Sequence, residues 1–421
     1  MNDSEHQRRS TAAWLICGLL LLATMVNYMD RQSLANVSPR ITTEFNLSNA
    51  QYGTLEAWFS YAFAIGTLIF GFVADKVNVR WLYPLVLLAW SAMGFLTGYT
   101  SSYKELLICR TLLGLFEAGH WPCALRTTQL LLSPRDRTLG NSVLQSGASI
   151  GAIVTPLIMA AALTDDIGSW RPAFRYIGAA GGLWAILWFF ATSNVQLQHV
   201  PVTLPGQAAT KRQPFLPVIF SRRFLVIMIV VISINMCWQL YRAWLVKFLQ
   251  VGRGYEETYT LGFMSAYYIF TDVGCIASGL ATAWLARRGL KVTTARILTF
   301  GCFSALCMAS IAIPFLPKGN ILLAVLLTQA MGSLGVFPCY YSFAQALSKE
   351  HQGKVAGISG SLAWFATAPM QTAFGQLVDR TKSYDYGLVA VACLPMIATL
   401  ALVFLWGSEK EIDDHHVAET T

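Results

Sequence analysis

Apolar positions in this chain fall in long runs, unlike the alternation of half-buried strands or the one-sided stripes of surface helices. Runs of spanning length occupy residues 13–34, 51–73, 82–100, 105–130, 140–163, 173–192, 224–249, 259–285, 295–314, 320–346, 355–378 and 386–406. About 20 consecutive apolar residues in a helix cross the hydrocarbon layer of a bilayer. The pattern therefore predicts an all-α membrane protein with twelve transmembrane helices. Its polar breaks predict six spans in 1–192, a cytoplasmic linker at 193–222 with its Pro, Gln and Thr, six further spans in 223–408, and a short acidic tail at 409–421. Residues 11–25 have the apolar character of a signal h-region. They run on into Asn27-Tyr28-Met29-Asp30-Arg31 without a small-residue cleavage site, which predicts an uncleaved first span.

The halves repeat one another. Trp121-Pro122-Cys123, ahead of Arg135-Asp136-Arg137, recurs as Phe337-Pro338-Cys339 ahead of Lys349-Glu350-His351. The spacing from Ser146-Gly147 to Pro156 recurs from Ser359-Gly360 to Pro369. Both pairs lie about half a chain apart, and parallel halves in so apolar a protein predict a secondary transporter of two six-helix bundles.

Composition sharpens this picture, because 55% hydrophobic and 12% charged residues would leave a soluble globule short of polar surface. With both termini cytoplasmic, the inner segments collect Arg8, Arg9, Lys76, Arg80, Arg135, Arg137, Lys211, Arg212, Arg222, Arg223, Arg287, Arg288 and Lys291, the bias expected of a multi-pass protein of the cell inner (plasma) membrane. The net charge of +8 then reflects topology in the lipid bilayer, and no soluble basic domain is left for nucleic acid. The nine cysteines stand singly, which argues against a disulfide framework or a metal cluster. No Walker loop, nucleophile constellation or His/Cys metal spacing is present, so neither an enzyme, a cofactor nor ATP-driven transport is expected.

The chemistry must lie among the ionisable groups that a bilayer makes expensive. Asp30 and Arg31 come late in the first span and Arg110 early in the fourth, which runs the other way, so all three sit at similar depth. Two guanidiniums there suit an anion, since each offers a permanent charge and a planar fork that matches a carboxylate. The alternative is a neutral Arg–Asp pair with one arginine snorkelling to the interface. Glu117 follows Arg110 by about two helical turns on one face, and His120 comes next at i+3. A buried carboxylate beside an arginine is suited to carry a proton. Permanent ion pairing for Glu117 and plain packing for His120 are the competing readings. Arg242 in the seventh span either faces the same cavity or reaches headgroups. Asp272, Tyr340, Tyr341 and Gln345 are further polar candidates, the tyrosines being equally suited to packing.

Asn27-Tyr28-Met29-Asp30-Arg31, Gly71 through Arg80, Arg110 through Glu117-Ala118-Gly119, and Ser146 through Gly151 together resemble the major facilitator superfamily, and within it the anion:cation symporters of the hexuronate and sugar-acid branch. The resemblance covers nearly the whole chain. It implies that Arg31 and Arg110 bind a carboxylate, that Asp30 and Glu117 couple protons, and that Asp75, with Arg80, belongs to an inner gating motif. Asn78 stands where that motif usually has Gly, and the second-half counterpart, Gly279 to Gly289, has Ala283 where an Asp is usual.

The expected function is import of a carboxylated sugar, a hexuronate or aldonate-like organic anion, with protons or sodium, by a monomer that alternates its access. Tyr28, Arg31, Arg110, His120, Arg242 and Tyr341 form the expected substrate-binding set. Efflux of an organic anion, or a membrane sensor on a transporter fold, are the rival readings.

Overall fold

The computed structural model describes residues 3–132, 136–193, 195, 197, 216–347 and 352–407. Arg135, Lys211, Arg212, Lys349-Glu350-His351 and the tail 409–421 lie outside the described residues, as do the side chains of Arg8 and Arg9 and most of the 193–222 connection. Every regular element among the described residues is helical. The elements are α1 (Asp3–Asn36), α2 (Ser38–Glu44), α3 (Asn49–Lys76), α4 (Val79–Thr97), α5 (Tyr103–Glu117), α6 (His120–Leu131), α7 (Arg137–Ala162), α8 (Trp170–Ala191), α9 (Leu216–Ile219), α10 (Arg222–Lys247), α11 (Glu257–Arg287), α12 (Val292–Cys307), α13 (Asn320–Gly335), α14 (Phe337–Leu347), α15 (Gln352–Thr381) and α16 (Asp385–Leu405), with short 3₁₀ and π turns at several ends.

The twelve apolar runs correspond to α1, α3, α4, α5–α6, α7, α8, α10, α11, α12 with its 3₁₀ extension, α13–α14, α15 and α16. Ten of these are long and apolar enough to cross a membrane by length and composition, and α5–α6 and α15 are the two more polar ones. The fourth run differs from a continuous span. It breaks at Ala118-Gly119, and α6 restarts at His120. A Cβ at Gly119 would lie 2.7 Å from Val86 and 3.0 Å from the ring of Phe70, so the break sits where the backbone approaches its neighbours too closely for a side chain.

The chain forms two compact units, the first comprising Met1–Gln207, Arg242–Tyr268 and Thr367–Ser383, the second Ala208–Tyr241, Ile269–Ala366 and Tyr384–Thr421. In the first, α1 packs on α7 and α8, α3 on α5, and α4 on α5 and α8. Helices in lipid gain little by burying apolar surface and associate where small residues admit close backbone approach. A Cβ at Gly114 of α5 would lie 2.5 Å from the Phe59 carbonyl of α3, so this glycine sets the depth at which the α5 side chains meet α3. The helix ends are capped locally: Ser48 and Gln51 form a capping box at α3, and Asn78 accepts from the Arg80 amide over 2.9 Å at α4. Asn in place of the usual Gly thus serves as an N-cap.

At the end that carries the 37–48 connection, the first unit also gathers residues distant in sequence. Asp379 accepts from the amides of Asn49 (3.1 Å) and Ala50 (2.9 Å) at the start of α3. Tyr52 donates to the Ala243 carbonyl over 2.7 Å, and Arg40 pairs with Glu257 over 2.6 Å. In the second unit, Val230 and Ile234 of α10 pack with Phe300, Phe303, Tyr340 and Phe343. Pro395 lies inside α16, and the hydroxyls of Ser304 (3.1 Å) and Thr399 (3.0 Å) donate to its carbonyl.

Candidate substrate and coupling site

Three guanidiniums and two carboxylates meet inside the first unit. Residue exposures are 5% for Arg31, 3% for Arg110, 1% for Arg242 and 0% for both Glu56 and Glu117. Arg31, near the end of α1, donates from Nε to Glu117 Oε1 over 2.6 Å and from an Nη nitrogen to Asn27 Oδ1 over 3.3 Å. Its guanidinium also lies 5.0 Å from the ring centroid of Tyr28 and 4.9 Å from that of Phe63, distances at which a ring face attracts a cation.

Arg110 of α5 donates to Glu56 Oε1 over 3.0 Å, and Arg242 of α10 donates to Glu56 Oε2 over 2.6 Å. One carboxylate of α3 therefore bridges two arginines. Both also direct a longer contact to the Arg31 carbonyl, at 3.5 Å and 3.4 Å. Phe59, one turn beyond Glu56, presents its ring 4.2 Å from the Arg110 guanidinium. Several buried polar atoms have no hydrogen-bond partner: Arg110 Nε, Glu117 Oε2, Asn27 Nδ2 and Asp30 Oδ2.

Asp30 is buried beside Gly94 of α4, where an added Cβ would lie 2.5 Å from its Oδ1. Among the described residues the ion pair of Arg31 is with Glu117 rather than with its neighbour Asp30. Consecutive helical residues point about 100° apart, so Asp30 and Arg31 face different partners.

Residues 20–369 match the sequence profile of the Major Facilitator Superfamily. The chain belongs to the Major Facilitator Superfamily. Curated relatives include the probable L-galactonate transporter of Escherichia coli (strain K12), 26% identical with 95% of this chain and 90% of that protein covered. The hexuronate transporter of the same strain is 23% identical, with 94% and 92% covered. The probable sulfoacetate transporter of Cupriavidus necator is 26% identical, with 95% of each covered. Among solved structures, a bacterial homolog of the human lysosomal transporter Spinster superposes with a TM-score of 0.79 at 16% identity, covering 94% of this chain and 97% of its own. The D-xylose–proton symporter gives 0.72 at 14%, covering 93% and 97%. The chain is a multi-pass membrane transporter of the facilitator fold and not an enzyme.

In this facilitator, four of the residues singled out from sequence, Arg31, Arg110, Glu117 and Arg242, lie in one buried cluster, with Tyr28 against Arg31. His120 is engaged elsewhere. Thr24 gives its hydroxyl proton to the Leu20 carbonyl (2.8 Å) and so accepts from His120 Nε2 at 3.1 Å, while Tyr83 donates to Nδ1 at 3.0 Å. Both ring nitrogens are thus satisfied, and the ring packs beside Trp90 and Trp121. Tyr341 belongs to the second unit, is 55% exposed, and lines a cavity of about 440 Å³ with Asn235, Tyr340, Gln345 and Trp364. Asp75 is exposed at the end of α3, and Arg80 stacks 5.8 Å from the ring centroid of Trp81.

Glu56 is the central residue that sequence reasoning missed. Its signal was a lone acid inside the second apolar run, between Leu55 and Ala57, and an ionisable group in a span is a functional candidate by default. The bond from Tyr268 to Gln32 (2.8 Å), that from Trp244 to Gln371 (2.7 Å), and the buried Lys247 against the Tyr52 ring (4.9 Å) also went unseen.

Proposed function

We propose that this transporter imports a small carboxylated organic anion, a hexuronate or aldonate-like sugar acid, across the cell inner membrane together with protons, both termini lying in the cytoplasm. The observation that carries the reading is the buried meeting of Arg31, Arg110 and Arg242 with the carboxylates of Glu56 and Glu117. Ionic groups so placed are costly in a bilayer unless they serve a pathway, and the paired forks of Arg31 and Arg110 suit a carboxylate. The unpartnered Arg110 Nε and Asn27 Nδ2 supply donors for its oxygens or for neighbouring hydroxyls. Glu117 and Asp30 are the proton carriers in this scheme: an arriving anion draws Arg31 away from Glu117, and a buried carboxylate that loses its cation takes a proton. The names of the relatives, transporters of galactonate, hexuronate and sulfoacetate, favour the same substrate class.

A thermal-shift screen of the purified protein against galacturonate, galactonate, glucarate, sulfoacetate and succinate tests the class, since a bound ligand stabilises the folded state. Stabilisation by at least one sugar acid, lost in Arg110→Ala, is expected. No response to any of them, or an unchanged response in the variant, would sink the reading.

A further inference from the structure

We propose that Glu56 is a resident anion which the substrate carboxylate displaces from Arg110 and Arg242, and that the displaced Glu56 takes up a proton that travels with the substrate. The inference rests on the proposed anion site at Arg110 and adds to it a residue with its own coupling role. Glu56 offers both oxygens, Oε1 to Arg110 at 3.0 Å and Oε2 to Arg242 at 2.6 Å. Such a carboxylate fills the seat that a substrate carboxylate bridging the same two guanidiniums would take.

Its presence has a physical reason. Without Glu56 the buried cluster would hold three guanidiniums against Glu117 and the neighbouring Asp30, leaving positive charge uncompensated where desolvation is severe. The titratable and charged groups facing Glu56 are Arg110 of α5, Arg242 of α10, Tyr52 of its own helix and Tyr268 of α11. Glu56 and a substrate carboxylate compete for the same two forks, and a buried carboxylate that gives up both of its cations takes a proton.

The exchange conserves charge. Before it, Arg110 and Arg242 face one ionised Glu56. Afterwards they face one substrate carboxylate, and Glu56 carries a proton on the oxygen that lost its cation. One proton thus enters with one anion through Glu56, separately from any proton that Glu117 or Asp30 carries. A permanent structural clasp would show the same ion pairs and no exchange, so the two differ in what moves.

Proteoliposomes containing the full-length protein distinguish them, using whichever of galacturonate, galactonate, glucarate or sulfoacetate stabilises the wild type. The proton-to-anion ratio is read from the pH gradient that brings net flux to zero. Glu56→Gln is expected to lower that ratio by one, and to lower the half-saturating concentration for counterflow about tenfold because no resident anion competes. Glu56→Asp keeps the wild-type ratio. An unchanged ratio in a transporting Glu56→Gln protein overturns the proposal. If that variant does not fold, Glu56→Gln/Arg242→Gln removes one charge of each sign and is read the same way. The wild type supplies a further readout that needs no transport: anion binding should raise an infrared band of a protonated carboxyl that Glu56→Asp shifts. A spectrum without such a band also overturns it. Loss of the anion site itself shows differently, as a wild type stabilised by none of these anions or an Arg110→Ala protein stabilised like wild type.

Discussion

The guanidinium of Arg31 and the carboxylate of Glu117 lie 2.6 Å apart, Nε to Oε1, joining the end of α1 to the end of α5 with both side chains buried. The two are 86 positions apart in the sequence. Because neither group reaches water, removing one leaves the other charged, buried and unpaired. That costs about 3–5 kcal/mol in soluble proteins, more than the pair itself contributes.

Arg31→Ala is therefore expected to abolish saturable uptake of a sugar acid and to lower the melting temperature. Arg31→Lys should restore the temperature more than the uptake, because an ammonium supplies charge without the planar fork. Equal rescue of both by Lys would show that Arg31 acts as a point charge and would remove the carboxylate clamp.

Glu117→Gln keeps the shape of the acid and fixes it in its uncharged form. If Glu117 carries a coupled proton, this variant should bind and exchange substrate in counterflow yet accumulate less of it under an imposed pH difference, with its proton-to-anion ratio lowered by one. Asp30→Asn should lose less, since Asp30 is not the ion-pair partner of Arg31. Full pH-driven accumulation by Glu117→Gln would move the coupling role to Asp30 or Glu56.

The helices were legible because bilayer thickness imposes a run length that few other constraints produce. The approach of Arg31 and Arg110 could be inferred for a related reason: antiparallel neighbours turn sequence position into depth. Glu56 could not be placed in this way. Its partners, Arg110 and Arg242, are 54 and 186 residues away, and an acid with no partner on its own helix face gives no sign of its neighbours. The break at Ala118-Gly119 is masked by the apolar composition that continues through it, although Pro122 marks it in the sequence: proline offers no N–H to the Ala118 carbonyl four residues back, and its ring crowds that carbonyl. His120 showed the same limit, since helical spacing places a side chain on a face but does not say that Thr24 and Tyr83 already hold its two nitrogens.

That environment leads to a prediction for His120. With both nitrogens bonded and the residue fully buried, His120→Ala should leave the Tyr83 hydroxyl unpaired and open a void, lowering stability by about 2–4 kcal/mol. Tyr83→Phe removes only one bond and should cost about 1 kcal/mol. In both variants the half-saturating concentration of the folded fraction should stay near wild type. A large rise in that concentration with little change in melting temperature would instead put His120 on the substrate.

Asp75 belongs to a different kind of test, because its side chain is exposed and its proposed role concerns conformational preference rather than binding. Asp75→Asn should shift the resting population while leaving substrate-induced stabilisation intact. Cysteines placed at the two ends of the bundle report this through their labelling rates. Rates matching the parent at both ends would exclude Asp75 as a latch.

The far end of the first unit offers the complementary case, where a contact of α3 with α15 is sharply constrained by backbone approach. Asp379 caps α3 by accepting from the Asn49 and Ala50 amides, and a Cβ at Gly53 would collide with the Gln371 carbonyl. An N-terminal cap of this kind contributes about 1 kcal/mol, and a carboxylate there also meets the positive end of the helix dipole. A shift of that size changes a two-state population about fivefold. A backbone clash cannot be relieved by a rotamer change, so Gly53→Ala should loosen this contact of α3 with α15 more strongly than Asp379→Asn. A cysteine at Ala50 should then react several-fold faster with an impermeant maleimide in both variants, with Gly53→Ala showing the larger effect. Unchanged labelling in Gly53→Ala would mean that α3 and α15 do not separate during the transport cycle.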